Sequence, residues 1–229
     1  MSTTLENPTI PMAGCTIRRA ILNATAVPSP FTHWLMRDVL PTWLPGAVRA
    51  LPFAPAGFGD TLGKRETCNS RRIFFSEAMR EQFVACGVLA DAFQDETTVG
   101  LLEDVCGTRL EGGFLRIEYC LDTDGFWLEP HTDIGAKLLT FLVCLSDDPA
   151  AEDWGTDIMD ADGLVLGRAP GTFNHGLIFV PGPNTWHGFV KRPITGVRRS
   201  LIVNYVKPEW RSRHELAFPT EAVVSGNNE

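Results

Sequence analysis

The sequence predicts a mainly β protein with helices in its N-terminal half. After Gly112, short apolar segments are separated by Gly, Pro, Asp and Asn residues, a spacing typical of a β-sandwich or jelly roll. No helical pattern lies between these segments, which argues against a parallel α/β sheet. Before residue 110, apolar residues recur at helical spacing in several stretches. We therefore expect a helical N-terminal region that supports a β core.

Composition favours a single globular domain over residues 1–229. The chain has 229 residues, of which 44% are hydrophobic, enough to bury a core. Within the domain we expect a helical support region at 1–110, a jelly-roll core at 111–206 and a C-terminal tail at 207–229. The sequence makes no prediction of oligomeric state.

The net charge and the cysteine content indicate which binding partners and which cellular compartment to expect. The net charge of −8 argues against binding to nucleic acid or to an anionic membrane surface. No apolar run approaches the length of a membrane span, and residues 1–14 lack the pattern of a signal peptide. The six scattered cysteines form no CxxC pair, and four of them, Cys86, Cys106, Cys120 and Cys144, are typical of reduced core residues, so we expect a cytoplasmic protein.

The first quarter of the chain is predicted to contain a tail, a strand, one or two short helices and a loop. Residues 1–14 are polar and are interpreted as a loose tail, and residues 16–26 as a first strand. Residues 31–51 have nearly helical apolar spacing interrupted by prolines, which predicts one or two short helices. Residues 52–63 are interpreted as a loop, because their glycines match neither a dinucleotide fingerprint nor a P-loop.

The next stretch is predicted as a strand at 68–75 and two helices. Ser76 is placed to cap a helix that runs to about Phe93, with its apolar residues on one face. A second helix is predicted from Glu96 to Cys106, ended by Gly107. The strands that follow are predicted at 114–121, 138–145, 156–159, 164–166, 177–180, 185–190 and 199–206.

A candidate metal site lies at the start of the β region. His131 and Asp133 stand two apart, and in a strand such residues point to the same face. His187 on a late strand would complete two histidines and one carboxylate, the facial triad of non-haem Fe(II) oxygenases, which leaves open positions on the metal. Zinc is the main competitor for these ligand types. His175 is the alternative third ligand, but Asn174-His175-Gly176 is interpreted as a turn.

A candidate anion site follows on the last strand. Arg198 and Ser200 alternate with Arg199, so they share one strand face. A guanidinium with a neighbouring hydroxyl suits the distal carboxylate of a chelating 2-oxo acid.

The ordered set of these motifs resembles the 2-oxoglutarate- and Fe(II)-dependent oxygenases, nearest to the prolyl-hydroxylase-like branch. The resemblance covers residues 113–206. It rests on His131-Thr132-Asp133, residues 139–146, Trp154-Gly155-Thr156, Phe179-Val180-Pro181, His187 and Arg198-Arg199-Ser200.

This resemblance implies a double-stranded β-helix and a hydroxylase that uses Fe(II), 2-oxoglutarate and O₂ and releases succinate and CO₂. It implies that His131, Asp133 and His187 bind the metal. It implies that Arg198, Ser200 and Tyr119 bind 2-oxoglutarate. Cys144 departs from the pattern, because a tyrosine often stands there in the family. Asp133 supplies the carboxylate that related halogenases lack, so hydroxylation is favoured over halogenation.

The substrate is predicted to be a small molecule such as an amino acid, a sugar or a natural-product intermediate. A peptidyl-residue hydroxylase of the same family is the alternative. Two other classes remain open, a non-oxidative cupin-type metal protein and an inactive binding module. Candidate substrate residues flank the metal motif, precede the β region or follow an acidic loop: Arg71, Arg72, Trp127, Glu129 and Trp154.

Overall fold

A computed structural model describes residues 9–55, 63–64, 72–133 and 135–227 of the chain. The helices within these ranges are α1 (Thr9–Leu22), α2 (Leu44–Arg49), α3 (Glu77–Gln82), α4 (Val84–Gln94) and α5 (Glu96–Cys106). None of the helices in this part of the chain combines the length and the apolar character needed to cross a membrane.

The strands form two antiparallel sheets. They are β1 (Thr25–Val27), β2 (His33–Met36), β3 (Ile73–Phe74), β4 (Phe114–Asp122), β5 (Leu128–His131), β6 (Lys137–Cys144), β7 (Asp157–Met159), β8 (Val165–Arg168), β9 (Gly176–Phe179), β10 (His187–Phe189) and β11 (Arg198–Val206). The larger sheet has the order β1-β2-β9-β6-β11-β4-β3, and the smaller one β5-β10-β7-β8. From β4 onward the chain crosses between the two sheets at every step except from β7 to β8, which are neighbours in the smaller sheet. The predicted mainly β class with N-terminal helices is confirmed.

The helices and one face of the larger sheet share the main hydrophobic core. Buried side chains of the helices, such as Ile17 and Phe93, belong to the same cluster as Leu115, Phe141 and Val203 of the central strands. These strand residues carry odd numbers on β4, β6 and β11. The even-numbered residues of the same strands therefore point to the opposite face, toward the smaller sheet.

The first helix corrects the prediction of a loose tail and a strand. Helix α1 spans Thr9–Leu22, and the strand β1 that follows has only three residues, Thr25–Val27. The buried residues Ala13, Ile17, Ala20 and Ile21 recur at intervals of three and four, which is the spacing of one helix face. Packing of that face against α4 and α5 determines the structure of this segment.

Two further predictions were partly wrong. Residues 31–51 were expected to be helical, but His33–Met36 form strand β2, which pairs with β9, and only Leu44–Arg49 form a helix. The helix predicted through Phe93 is interrupted at Phe83, which is extended (φ −126°, ψ 115°). The Phe83 ring packs edge-on against Phe53 at a centroid distance of 5.9 Å, so a tertiary contact accompanies the break.

The remaining elements agree more closely with the sequence. Helix α5 has the predicted bounds. Asp95 caps it by accepting a hydrogen bond from the Thr98 amide at 3.0 Å, and Gly107 ends it in the left-handed conformation (φ 63°). Helix α3 begins after Ser76, but the Ser76 side chain makes no capping bond. Of the strand predicted at 68–75, only Ile73–Phe74 is observed, and 68–71 lie outside the described residues.

The C-terminal segment is packed rather than loosely attached. The backbone amides of Ala217 and Val223 donate hydrogen bonds to the carbonyls of Leu115 and Gly113 at 2.9 and 2.8 Å. Leu216 and Val223 are buried. The free cysteines Cys86 and Cys106 are buried in the main hydrophobic core, as predicted, whereas Cys120, which is buried, and Cys144, which is partly buried, lie outside that cluster.

Candidate metal centre

Three predicted ligands converge between the two sheets. One ligand atom from each of His131, Asp133 and His187 lies within 4.8 Å of the others. The His131 Nε2 is 4.0 Å from Asp133 Oδ1, and the His187 Nε2 is 3.8 Å from Asp133 Oδ2. Strand pairing explains the meeting of the histidines, because His131 on β5 stands directly opposite His187 on β10.

Asp133 reaches the site from outside the strand. Strand β5 ends at His131, so the shared face expected for residues two apart in a strand does not bring the carboxylate into place. Asp133 is buried just beyond the strand end and approaches β6. The grouping predicted from the sequence is present, but the reason given for it was wrong.

Backbone carbonyls fix the tautomer of both histidines. The Nδ1 of His131 lies 2.8 Å from the Glu129 carbonyl oxygen, and the Nδ1 of His187 lies 2.8 Å from that of Thr185. A carbonyl only accepts hydrogen bonds, so each Nδ1 carries the proton and each Nε2 offers its lone pair to the shared point. Burial lowers the pKa of His187 to about 4, which keeps the imidazole neutral at physiological pH.

The Asp133 carboxylate is held by two neighbours on β6. The Lys137 Nζ lies 2.7 Å from Asp133 Oδ2, and the Thr140 hydroxyl lies 3.3 Å from the same oxygen. The Thr140 hydroxyl also lies 3.1 Å from the Asn204 side-chain oxygen on β11. Neither Lys137 nor Thr140 was singled out from the sequence, although their positions four and seven residues after Asp133 place them on the next strand.

A cavity adjoins the three candidate ligands and is lined by both sheets. Its walls include the smaller sheet's Leu128, His131, His187 and Phe189, and the larger sheet's Cys120, Asp122, Thr140, Leu142, Arg198 and Ile202. A larger surface cavity around Arg19, Arg37 and His175 lies apart from these ligands. Asn174 has a positive φ of 58° in the turn before His175, whereas Gly176, predicted to lie in the same turn, begins strand β9. His175 is not grouped with the three ligands.

Arg198 points into this cavity with its guanidinium held in place. Its Nε donates to the Trp154 carbonyl oxygen at 2.7 Å, and its Nη1 donates to Asp122 Oδ2 at 2.5 Å. Ser200 lies between Arg198 and Ile202 on the same face of β11. The Ser200 Oγ is buried and has no hydrogen-bond partner in the described part of the chain. Asp122 was missed because only the strand register, Arg198 opposite Asp122, brings the two residues together.

Tyr119 does not line this cavity. Its side chain is 1% exposed and belongs to the main hydrophobic core, on the helix side of the larger sheet. The neighbouring Cys120 faces the cavity instead, because consecutive strand residues point to opposite faces. The expectation that Tyr119 contacts the co-substrate is therefore corrected.

The candidate substrate residues separate into three groups. Arg72 lines the cavity and forms a buried ion pair with Glu118, whereas Arg71 lies outside the described residues. Glu129 is exposed, and the Trp127 ring lies against Gly63. Trp154 is 2% exposed and packs with Phe126 and Phe189, so it is a core residue rather than a gate.

Comparison with known proteins gives matches in structure alone. No protein-family model and no curated protein sequence matches the chain. The fold is similar to that of a Pseudomonas putida prolyl 4-hydroxylase, with a TM-score of 0.53 and 14% identity over 85% of this chain and 94% of that chain.

Two further solved structures are similar. A Trichoplax adhaerens prolyl hydroxylase in complex with a hypoxia inducible factor peptide fragment has a TM-score of 0.51 and 10% identity, covering 90% of this chain and 94% of that one. A Phytophthora capsici prolyl 4-hydroxylase has a TM-score of 0.52 and 11% identity, covering 92% and 68%. The chain therefore has the fold of the prolyl hydroxylases, which confirms at the level of fold the resemblance found in the sequence.

Proposed function

We propose that the protein is an Fe(II)- and 2-oxoglutarate-dependent dioxygenase that hydroxylates a small metabolite. The observation that carries the proposal is the meeting of His131, Asp133 and His187 beside a cavity that also contains a buried guanidinium. The prolyl hydroxylases that share the fold support this function. When bound, iron and 2-oxoglutarate together activate O₂, so that one oxygen atom enters the substrate and the co-substrate leaves as succinate and CO₂.

The three proposed ligands fit a divalent iron ion. Two imidazole nitrogens and one carboxylate are the donor set of a facial triad, which leaves metal positions for a chelating acid and O₂. The carbonyls of Glu129 and Thr185 hold the two rings so that only their Nε2 atoms face the site. Lys137 and Thr140 bind Asp133 Oδ2, which orients the carboxylate before a metal arrives.

The proposed 2-oxoglutarate site is formed by Arg198 and Ser200. The guanidinium offers N–H groups beyond those bonded to Trp154 and Asp122, since it carries five donors in a fixed fork. The Ser200 hydroxyl is buried and finds no partner among the residues that the structure describes, which is the feature expected of a group that binds a ligand. These two residues fit a carboxylate, whereas Tyr119 has no part in the proposal.

We also propose that the two sheets form one double-stranded β-helix within a single domain of residues 1–229. The crossing of the chain between two antiparallel sheets from β4 to β11, interrupted only by the β7–β8 pair, supports this topology. The shared hydrophobic core of the helices and the larger sheet supports one domain with the helical region at 1–110, the core at 111–206 and the C-terminal segment at 207–229.

The polar character of the proposed substrate is inferred from the cavity wall. Arg72 lines the cavity, is nearly buried and has an Nε without a hydrogen-bond partner among the described residues, which suits a polar or charged metabolite. A peptidyl-residue hydroxylase is the second candidate. It is supported by the fold shared with prolyl hydroxylases, one of which was solved with a peptide fragment.

The test is succinate release by the protein supplied with Fe(II), 2-oxoglutarate and pools of amino acids, sugars or peptides. We expect substrate-stimulated succinate, with one oxygen atom added to a free metabolite. Mass gain in a peptide instead would select the second candidate. A cupin-type protein without oxidative chemistry would release no succinate, and an inactive module would bind no metal.

Neighbouring arginines provide a matched control. Arg198→Met removes the guanidinium and leaves the Asp122 carboxylate unbalanced beside the bound acid, so we expect loss of 2-oxoglutarate binding by about 2–5 kcal/mol. Arg199→Met changes the adjacent arginine, which interacts with Tyr119 on the opposite face of β11. Both variants should be checked by thermal unfolding. Equal binding by both would contradict the proposed role of Arg198.

A further inference from the structure

The cation proposed to receive the co-substrate already binds a carboxylate of the chain itself. Arg198 Nη1 lies 2.5 Å from Asp122 Oδ2, and the side chains are 10% and 8% exposed. Both line the cavity. The pair is built into the larger sheet, because Arg198 on β11 stands opposite Asp122 on β4 in the strand register.

Asp122 interacts electrostatically with two guanidinium groups. Burial raises the pKa of Asp122, and the positive charges of Arg198 and Arg72 act in the opposite direction. Arg72 is itself bound to Glu118, which also binds Arg116. The Nε of Arg72 has no hydrogen-bond partner in the described ranges. The carboxylate therefore remains close to a second cation if it leaves Arg198.

The Arg198–Asp122 pair affects which 2-oxo acid the cavity binds. A 2-oxo acid with a distal carboxylate would place a second anion against a guanidinium whose charge Asp122 already balances. Two carboxylates in a buried site repel each other strongly, since screening by water is weak there. A 2-oxo acid with an uncharged tail would leave the Arg198–Asp122 pair intact, so that no buried charge loses its partner.

We infer that Asp122 is a specificity-determining residue for the co-substrate, which reduces the preference of the site for dicarboxylic over monocarboxylic 2-oxo acids. The inference rests on the proposed function, because it concerns the acid that would chelate the metal. It predicts that the unaltered protein accepts 2-oxoglutarate and a five-carbon 2-oxo acid with an uncharged tail with similar affinity. It also predicts that neutralising Asp122 favours 2-oxoglutarate.

The experiment measures the dissociation constants of 2-oxoglutarate and 2-oxopentanoate by calorimetry with Mn(II)-loaded protein without oxygen. In 2-oxopentanoate a methyl group replaces the distal carboxylate. For the unaltered protein the two constants should lie within about tenfold of each other. In Asp122→Asn, which keeps the shape and removes the charge, the preference for 2-oxoglutarate should rise by about tenfold or more.

Asp157→Asn is the matched control. Asp157 is also a fully buried carboxylate held by two arginines, Arg168 at 2.8 Å and Arg192, but it does not line the cavity. This variant should lose stability without a change in the preference. If Asp122→Asn does not fold, Asp122→Ala should change the preference in the same direction, and the unaltered protein alone still tests the expected similarity.

The outcomes separate the two proposals. Binding of both acids with an unchanged or reduced preference in the Asp122 variants would overturn the inference and leave the proposed function standing. A strong preference of the unaltered protein for 2-oxoglutarate would do the same. Failure of the Mn(II)-loaded protein to bind either acid would overturn the proposed function and the inference with it.

Discussion

Both faces of the larger sheet are largely buried, but one is apolar and the other carries many polar side chains. On β4, β6 and β11 the face toward the helices is apolar and includes Leu115, Ile117, Leu139, Phe141, Leu201 and Val203. The face toward the smaller sheet is polar and includes Glu118, Asp122, Thr140, Arg198, Ser200 and Asn204, all of them buried. Burying polar groups costs free energy unless each has a partner. The comparison indicates that one face provides stability and the other provides binding.

The largest effect on stability is expected on the apolar face. Phe141 is fully buried, and its ring meets that of Phe93 edge-on at 5.3 Å. Phe141→Ala should lower the free energy of unfolding by about 3–5 kcal/mol, because it removes a large side chain and leaves a cavity. Urea unfolding measures this loss. Mn(II) affinity of the folded protein should be unchanged, and a large drop in affinity would contradict the division between the faces.

The second effect concerns pH and the metal centre. Burial lowers the pKa of His187 to about 4, from an ordinary value of about 6.5. The unfolded chain therefore binds a proton in this range that the folded chain does not, and the metal-free protein should lose stability as pH falls from 6.5 toward 4. The loss should reach about 3 kcal/mol at the lower end.

Comparison with a variant isolates this contribution. Unfolding in chelator across the same pH range should show a shallower dependence for His187→Gln than for the unaltered protein, because the titrating group has been removed. Parallel curves for the two proteins would mean that His187 is not neutral and buried in the metal-free fold.

A smaller effect is expected where a polar group serves the apolar face. The Tyr205 hydroxyl, buried beneath the helices, donates a hydrogen bond to the Phe93 carbonyl at 2.5 Å. Tyr205→Phe should cost about 1–3 kcal/mol of stability, since the carbonyl loses this hydrogen bond in a buried place. Thermal unfolding measures this loss, and unchanged or increased stability would show that the hydrogen bond does not stabilise the fold.

The smallest change in stability, with a selective change in binding, is expected on the polar face. Thr140→Val keeps the shape and removes the hydroxyl beside Asp133. Stability should change by about 1 kcal/mol or less, whereas Mn(II) affinity should fall by about tenfold. The control is Thr98→Val on α5, which removes a fully buried hydroxyl that donates a hydrogen bond to Asp95. It should leave the Mn(II) affinity unchanged. Equal Mn(II) affinities of the two variants would show that the Thr140 hydroxyl does not support metal binding.

The sequence predicted the apolar pattern better than the partners of the polar groups. Helix α5 and strands β4 and β11 were predicted within about one residue, because periodicity and turn residues are local signals. Helix α1 was missed, since its buried residues were interpreted as part of a strand and its character is decided by packing on α4 and α5.

The polar face shows why local signals were insufficient. His131, Asp133, His187 and Arg198 were singled out by residue type and order. The partner of Arg198 was not, because Asp122 is 76 residues away in sequence and meets it only through strand register. Tyr119 was assigned to the cavity by resemblance. The structure reverses that assignment, since alternation along β4 places Tyr119 among the helices and Cys120 in the cavity.

The most direct test of the central claim is an anaerobic titration of the metal-free protein with Mn(II), followed by electron paramagnetic resonance. We expect one tightly bound ion per chain, which His187→Ala should lose. His175→Ala should retain it, because the His175 imidazole lies outside the three-residue group. Tight binding that survives His187→Ala, or that is lost in His175→Ala, would contradict the claim that His131, Asp133 and His187 hold the metal.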